Sequence, residues 1–108
     1  MTLATVTEAT KENFRELVGE GKVLVDVWGP DCKPCVALEP HVEKIAEERP
    51  DLQVVKLEAP KARRLCMEMR IMGMPAFLFF RDGDEVSRLS DPQLSPAKLR
   101  QWVEETVG

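Results

Sequence analysis

The chain lacks the features that would place it in a membrane, on nucleic acid or among repeat proteins. No stretch approaches the roughly 18 to 20 continuous apolar residues of a membrane span, and MTLATVTEATKENF lacks the basic start and apolar segment of a leader. The expectation is a cytoplasmic protein without a membrane partner. There is no dense Lys/Arg block, and 19 acids against 15 bases give a net charge of −4, so a phosphate backbone has little to hold and nucleic acid is excluded as a partner. No segment is biased, repetitive or linker-like. Cysteine is scarce too: three residues are an odd number in a domain that needs no staples, which fits a reducing compartment with a reactive pair plus one free thiol.

What is present is a globular balance. The 108 residues, 44% hydrophobic and 31% charged, make a single domain over 1–108 that can bury one core without disulfides or metal.

The periodicities alternate between helix and strand. From Thr7, EATKENFRELVGEG places Phe14, Leu17 and Val18 on one helical face, with Thr7 as cap and Gly19 or Gly21 as stop. KVLVDVW, Lys22 to Trp28, is short, β-branched and nearly all apolar, as in a strand covered on both faces. Pro34 suits the first turn of the next helix, which would bury Val36, Leu38, Val42, Ile45 and Ala46 and be kinked at Pro40. LQVVKL, Leu52 to Leu57, reads as a second buried strand, and Pro60 to Met69 as a helix with Leu65, Cys66 and Met69 inward. AFLFF, a turn at Asp82 and Gly83, and EVSRLS read as an antiparallel hairpin. Ser95 caps a last helix with Pro96 at its first position and Leu99, Trp102 and Val103 inward. The fold class is α/β, a central mixed β-sheet flanked by helices on both faces.

The chemistry concentrates in WGPDCKPC, Trp28 to Cys35, where a strand gives way to a helix. A sulfur at a helix amino terminus meets unpaired amide hydrogens and the positive end of the dipole, so the thiolate of Cys32 is favoured. It can attack a substrate disulfide, and Cys35, one turn further in, can resolve the mixed disulfide. That chemistry requires no bound cofactor. Cys32, Cys35, His41 and Cys66 could in composition hold zinc. His41, however, lies six positions after Cys35, nearly on the opposite face of the helix, and Cys66 falls among apolar residues of another helix. We therefore assign no metal, and read Cys66 as a small buried hydrophobe and His41 as an exposed polar residue.

Asp26 sits in the middle of VLVDVW, where burial without a partner would cost several kcal/mol unless the carboxyl stays protonated. Alternation puts Leu24, Asp26 and Trp28 on one face, at the end over which the CxxC loop folds. A buried carboxyl of raised pKa could accept the Cys35 proton during resolution and return it later. A structural Asp paired with Lys56 of the neighbouring strand is the alternative, and the two roles are compatible.

VLVDVWGPDCKPC, then Pro40, VVKL and GMPAFLFFRDG, resemble the thioredoxin family in order and spacing over nearly the whole chain. The resemblance implies the thioredoxin fold and a protein-disulfide reductase. Cys32 would attack and Cys35 resolve, Asp26 and Lys56 would form a buried proton-handling pair, and Pro75 would be a cis-proline facing the disulfide. Met74 would offer its backbone to an extended substrate, within a groove formed with Trp28, Lys33, Pro34, Gly73, Pro75 and Asp91. The implied partners are protein disulfides and a flavoprotein thioredoxin reductase, and the chain would act as a monomer.

Departures are as informative. The family signature WCGPC is replaced: Asp31 stands where tryptophan is usual and Lys33 where glycine is. SDPQ, Ser90 to Gln93, replaces a customary glycine, so that Asp91 and Pro92 would make the loop beside the groove stiffer and acidic. KARRL before Cys66 is similar to thioredoxins of anaerobes that ferment amino acids through glycine reductase. Two other functions fit the same residues: a non-catalytic interaction module, and a disulfide oxidant or isomerase, which Lys33 keeps open.

Overall fold

The computed structural model describes residues 6–108. Its elements are β1 (Val6–Ala9), α1 (Phe14–Leu17), β2 (Lys22–Trp28), α2 (Lys33–Glu48), β3 (Gln53–Glu58), α3 (Arg63–Glu68), β4 (Ala76–Arg81), β5 (Asp84–Ser90) and α4 (Pro96–Val107), with a 3₁₀ turn at Ala59–Lys61. The strands form one mixed sheet in the order β1-β3-β2-β4-β5. β1 and β2 run parallel to β3, while β4 lies antiparallel to β2 and to β5.

Strand β2 is central and covered on both sides, which its unbroken apolar sequence requires. Val23, Val25 and Val27 pack with Phe14 of α1, Leu65 and Cys66 of α3, and Val18 and Met69 at the ends of those helices. Leu24, on the other face, packs with Leu38, Val42 and Ile45 of α2 and Leu99 and Val103 of α4. Alternation thus aims Asp26, between Val25 and Val27, at the face beneath α2. The expected α/β class, with helices on both faces of a mixed sheet, is the one observed.

Three local expectations are corrected. Thr7 is no helix cap: Val6–Ala9 pairs with Val54–Leu57 as an edge strand, and the helix is confined to Phe14–Leu17. Its entry is set instead by a reciprocal pair, Thr10 N–H to Asn13 Oδ1 at 2.6 Å and Asn13 N–H to Thr10 Oγ1 at 3.2 Å. Val36 is 44% exposed, because it falls outside the stripe of Cys35, Leu38, Val42, Ile45 and Ala46. The segment from Pro60 to Met69 is divided at Ala62, whose φ of −139° and ψ of 44° leave the helical region. Trp102 packs against the core cluster of α2 and α4 as expected, half-buried, with its Nε1–H donating to Ser87 Oγ of β5 at 3.1 Å.

The remaining boundaries follow local chemistry. Ser95 Oγ accepts from Lys98 N–H at 3.1 Å and caps α4. Gly21, at φ +71°, donates to Asp82 Oδ1 at 2.8 Å, and Asp82 N–H returns a bond to the Gly21 carbonyl at 2.9 Å. This reciprocal contact ties the start of β2 to the hairpin turn.

Candidate active site

The cysteine pair occupies the junction that the strand-to-helix reading assigns to it. Cys32 is the N-cap of α2 in an extended conformation, and Pro34 stands in the first turn, where no amide hydrogen is needed. Cys32 and Cys35 are joined as a disulfide. One of the orphan amides of the helix start is used: Cys35 N–H donates to Cys32 Sγ at 3.2 Å. On reduction the same amide, with the dipole of this 16-residue helix, favours charge on the Cys32 sulfur. The two sulfurs differ in access, since Cys32 is half-buried and Cys35 only 3% exposed.

Asp26 lies on the sheet face beneath this helix, 3% exposed among apolar neighbours. Burial raises its pKa from 3.8 to about 7, the Lys56 ammonium opposes the rise, and the Glu39 carboxylate adds to it. A carboxyl that titrates near neutral pH can both take up and return a proton.

Lys56 is the register partner of Asp26 on β3, as expected, yet its ion pair is made elsewhere. Its Nζ lies 2.8 Å from Glu39 Oε1 and 4.3 Å from the centroid of the Trp28 ring. Among the described residues Lys56 thus closes its ion pair with Glu39, while Asp26 lies in the field of both. Glu39 was not legible as a site residue. Its one signal is its position four residues after Cys35, on the same side of α2.

The groove residues fall into two sets. Met74–Pro75 is a cis peptide bond, and Pro75 is buried. The Met74 side chain covers Gly29: a Cβ at Gly29 would lie 3.3 Å from Met74 Cε. Asp91 N–H donates to the Pro75 carbonyl at 3.3 Å. Thus Gly29, Met74, Pro75 and Asp91 form one continuous edge, with Trp28 and exposed Gly73 adjoining it in sequence. Asp31, Lys33 and Pro34 are exposed around Cys32.

The negative charge that Asp91 brings to the loop is compensated by Lys98. Asp91 Oδ1 accepts from Gln93 N–H and Oδ2 faces Lys98 Nζ, both at 2.9 Å, and these contacts hold the Asp91 pKa below the ordinary value. Cys66 lies in the cluster on the opposite side of the sheet from α2, where burial pushes its thiol pKa up. His41 is half-buried rather than exposed.

A family model described as Thioredoxin matches residues 5–105. The chain is 30% identical over 103 residues to a thioredoxin of Acetoanaerobium sticklandii, covering 93% of this chain and 98% of that one. It is 30% identical over 108 residues to a thioredoxin of Peptoclostridium acidaminophilum, covering 97% and 98%. Among solved structures, thioredoxin from Trypanosoma brucei brucei superposes with a TM-score of 0.86 at 24% identity over 98% of this chain and 94% of that one. At that identity the likeness speaks for the fold, and the sequence matches carry the kinship. The paired cysteines at the head of α2, the fold around them and these matches together place the chain in the thioredoxin family of thiol-disulfide oxidoreductases.

Proposed function

We propose that the chain reduces protein disulfides, with Cys32 as the attacking and Cys35 as the resolving cysteine. The observation that carries this reading is the asymmetry of the pair. The less buried cysteine caps the helix, its sulfur accepting an amide hydrogen, while its partner is buried.

In the first step the Cys32 thiolate attacks one substrate sulfur, forming a mixed disulfide and releasing the other as a thiolate. Asp26 then accepts the proton of Cys35. The Cys35 thiolate attacks Cys32 Sγ, the mixed disulfide breaks, and the second substrate thiolate leaves. Two electrons have passed from the cysteine pair to the substrate, and the proton on Asp26 is free to return to a leaving sulfur. Lys56 tunes the charge of Asp26. An extended substrate segment would pair with the backbone of Met74 beside Pro75, bordered by Trp28, Gly73, Asp91 and the exposed Lys33 and Pro34.

The oxidised pair would be re-reduced by a flavoprotein thioredoxin reductase, and the chain would work as a cytoplasmic monomer of one domain. No helix among the described residues is long and apolar enough to cross a membrane.

Insulin reduction with a regenerating dithiol tests this reading. Turnover is expected for the parent and none for Cys32→Ser, while Cys35→Ser should accumulate a mixed disulfide on Cys32. A parent that bound partners without turnover would instead be an interaction module. A parent that oxidised dithiols faster than it reduced insulin would be an oxidant.

A further inference from the structure

Two adjacent parallel strands place Asp26 and Lys56 side by side on one face, an arrangement that would ordinarily close an ion pair. Among the described residues, however, the ammonium closes no ion pair with Asp26 within 4.0 Å. It sits 2.8 Å from Glu39 Oε1, and its other side rests on the Trp28 ring, 4.3 Å from the centroid. Of the two carboxyls within its reach, the Glu39 side chain is 42% exposed and Asp26 only 3%, so Glu39 carries negative charge at far lower solvation cost. Glu39 comes from α2, one turn beyond Cys35, and thus links the helix that bears the cysteines to the strand that bears Lys56.

We propose that Glu39 is a positioning residue for disulfide exchange: its carboxylate holds Lys56 against Trp28 and away from Asp26, leaving the buried carboxyl unpaired to carry the proton of Cys35. The charged groups acting on Asp26 are Lys56 from β3 and Glu39 from α2; from β4 it faces Phe77, which does not titrate. Removing the Glu39 charge acts twice in one direction. It withdraws a repelling carboxylate, and it frees the ammonium to approach Asp26. Both changes favour the ionised carboxyl.

The inference rests on the proton-holding role given to Asp26, and the test separates the two. The Asp26 carboxyl is followed by NMR titration of the oxidised protein, and insulin reduction is measured against pH for the parent, Glu39→Gln and Asp26→Asn. Glu39→Gln keeps the side-chain shape and should lower the Asp26 midpoint by about one pH unit, with the pH profile of reduction moving by the same amount. In a Lys56→Met background the same substitution should shift the midpoint much less, because no ammonium remains to be released. An unmoved Asp26 midpoint in Glu39→Gln would overturn the inference. Equal shifts in both backgrounds would overturn it as well, by showing that Glu39 acts through its own charge and does not position Lys56. If instead Asp26→Asn reduced insulin as fast as the parent across the pH range, the role of Asp26 itself would fall.

Discussion

Lys98 closes an ion pair with Asp91 at 2.9 Å on the loop that borders Pro75. The carboxylate that replaces the customary glycine is thereby compensated from α4, and its other oxygen caps the amide of Gln93. The loop is stiffened while its charge is largely answered.

Lys98→Met should therefore expose the groove to an unanswered negative charge. The expected effect is a rise in KM of about twofold to fivefold for substrates with acids beside the disulfide, with kcat unchanged and the effect fading in high salt. Steady-state kinetics on acidic and basic disulfide peptides check this. A salt-independent rise for both peptides would mean that Lys98 shapes the loop and does not answer its charge.

Asp26→Asn should stabilise the protein at neutral and alkaline pH. The folded carboxyl holds its proton to about pH 7, whereas an ordinary one releases it near 3.8. Stability from this group is then full below about pH 4 and lost as pH rises through 7. The loss amounts to at most about 4 kcal/mol. Urea unfolding of the oxidised proteins at pH 4, 6 and 8 should show the variant gaining on the parent as pH rises, with little difference at pH 4. A gap that did not change with pH would point to packing rather than ionisation.

The site was legible where chemistry is written into adjacent residues. Cys32, Cys35 and Pro34 stand at a strand-to-helix junction whose geometry follows from hydrogen-bonding rules, and Asp26 announces itself as a charge in an apolar run. Glu39 was hidden because α2 also carries Glu43, Glu47 and Glu48. Which acid reaches Lys56 depends on how the helix crosses the sheet, a tertiary fact that no local pattern encodes. Strand β1 was misread for a related reason: Val6–Ala9 becomes a strand by pairing with β3, and as an edge it buries only Ala9 fully. Its own pattern carries almost no period-2 signal.

Cys32 of the reduced protein should react with a small alkylating reagent well ahead of the other two cysteines. Cys32 is only half-buried and sits at a helix start, whereas Cys35 is covered and Cys66 is buried with its pKa raised by that burial. Brief labelling at pH 7 followed by peptide mapping should find at least about tenfold more label on Cys32 than on Cys66. Early modification of Cys66 would contradict its place in the core cluster of α1 and α3.

Lys33 and Asp31 flank Cys32 and act on its thiolate with opposite sign. An ammonium near the sulfur favours the reduced, ionised form and makes the disulfide a better oxidant, while a carboxylate does the reverse. Both side chains are exposed, and among the described residues neither closes an ion pair within 4.0 Å, so solvent screens each effect. Lys33→Gly should lower the reduction potential and Asp31→Trp should raise it, each by at most a few tens of millivolts. Because the two charges oppose each other, the double variant should return close to the parent value. Glutathione titrations of all four proteins in low and high salt measure these shifts, which should shrink as salt rises. Shifts of equal sign for the two single variants, or a Lys33 effect indifferent to salt, would show that the conformation of the loop, and not its charge, sets the potential.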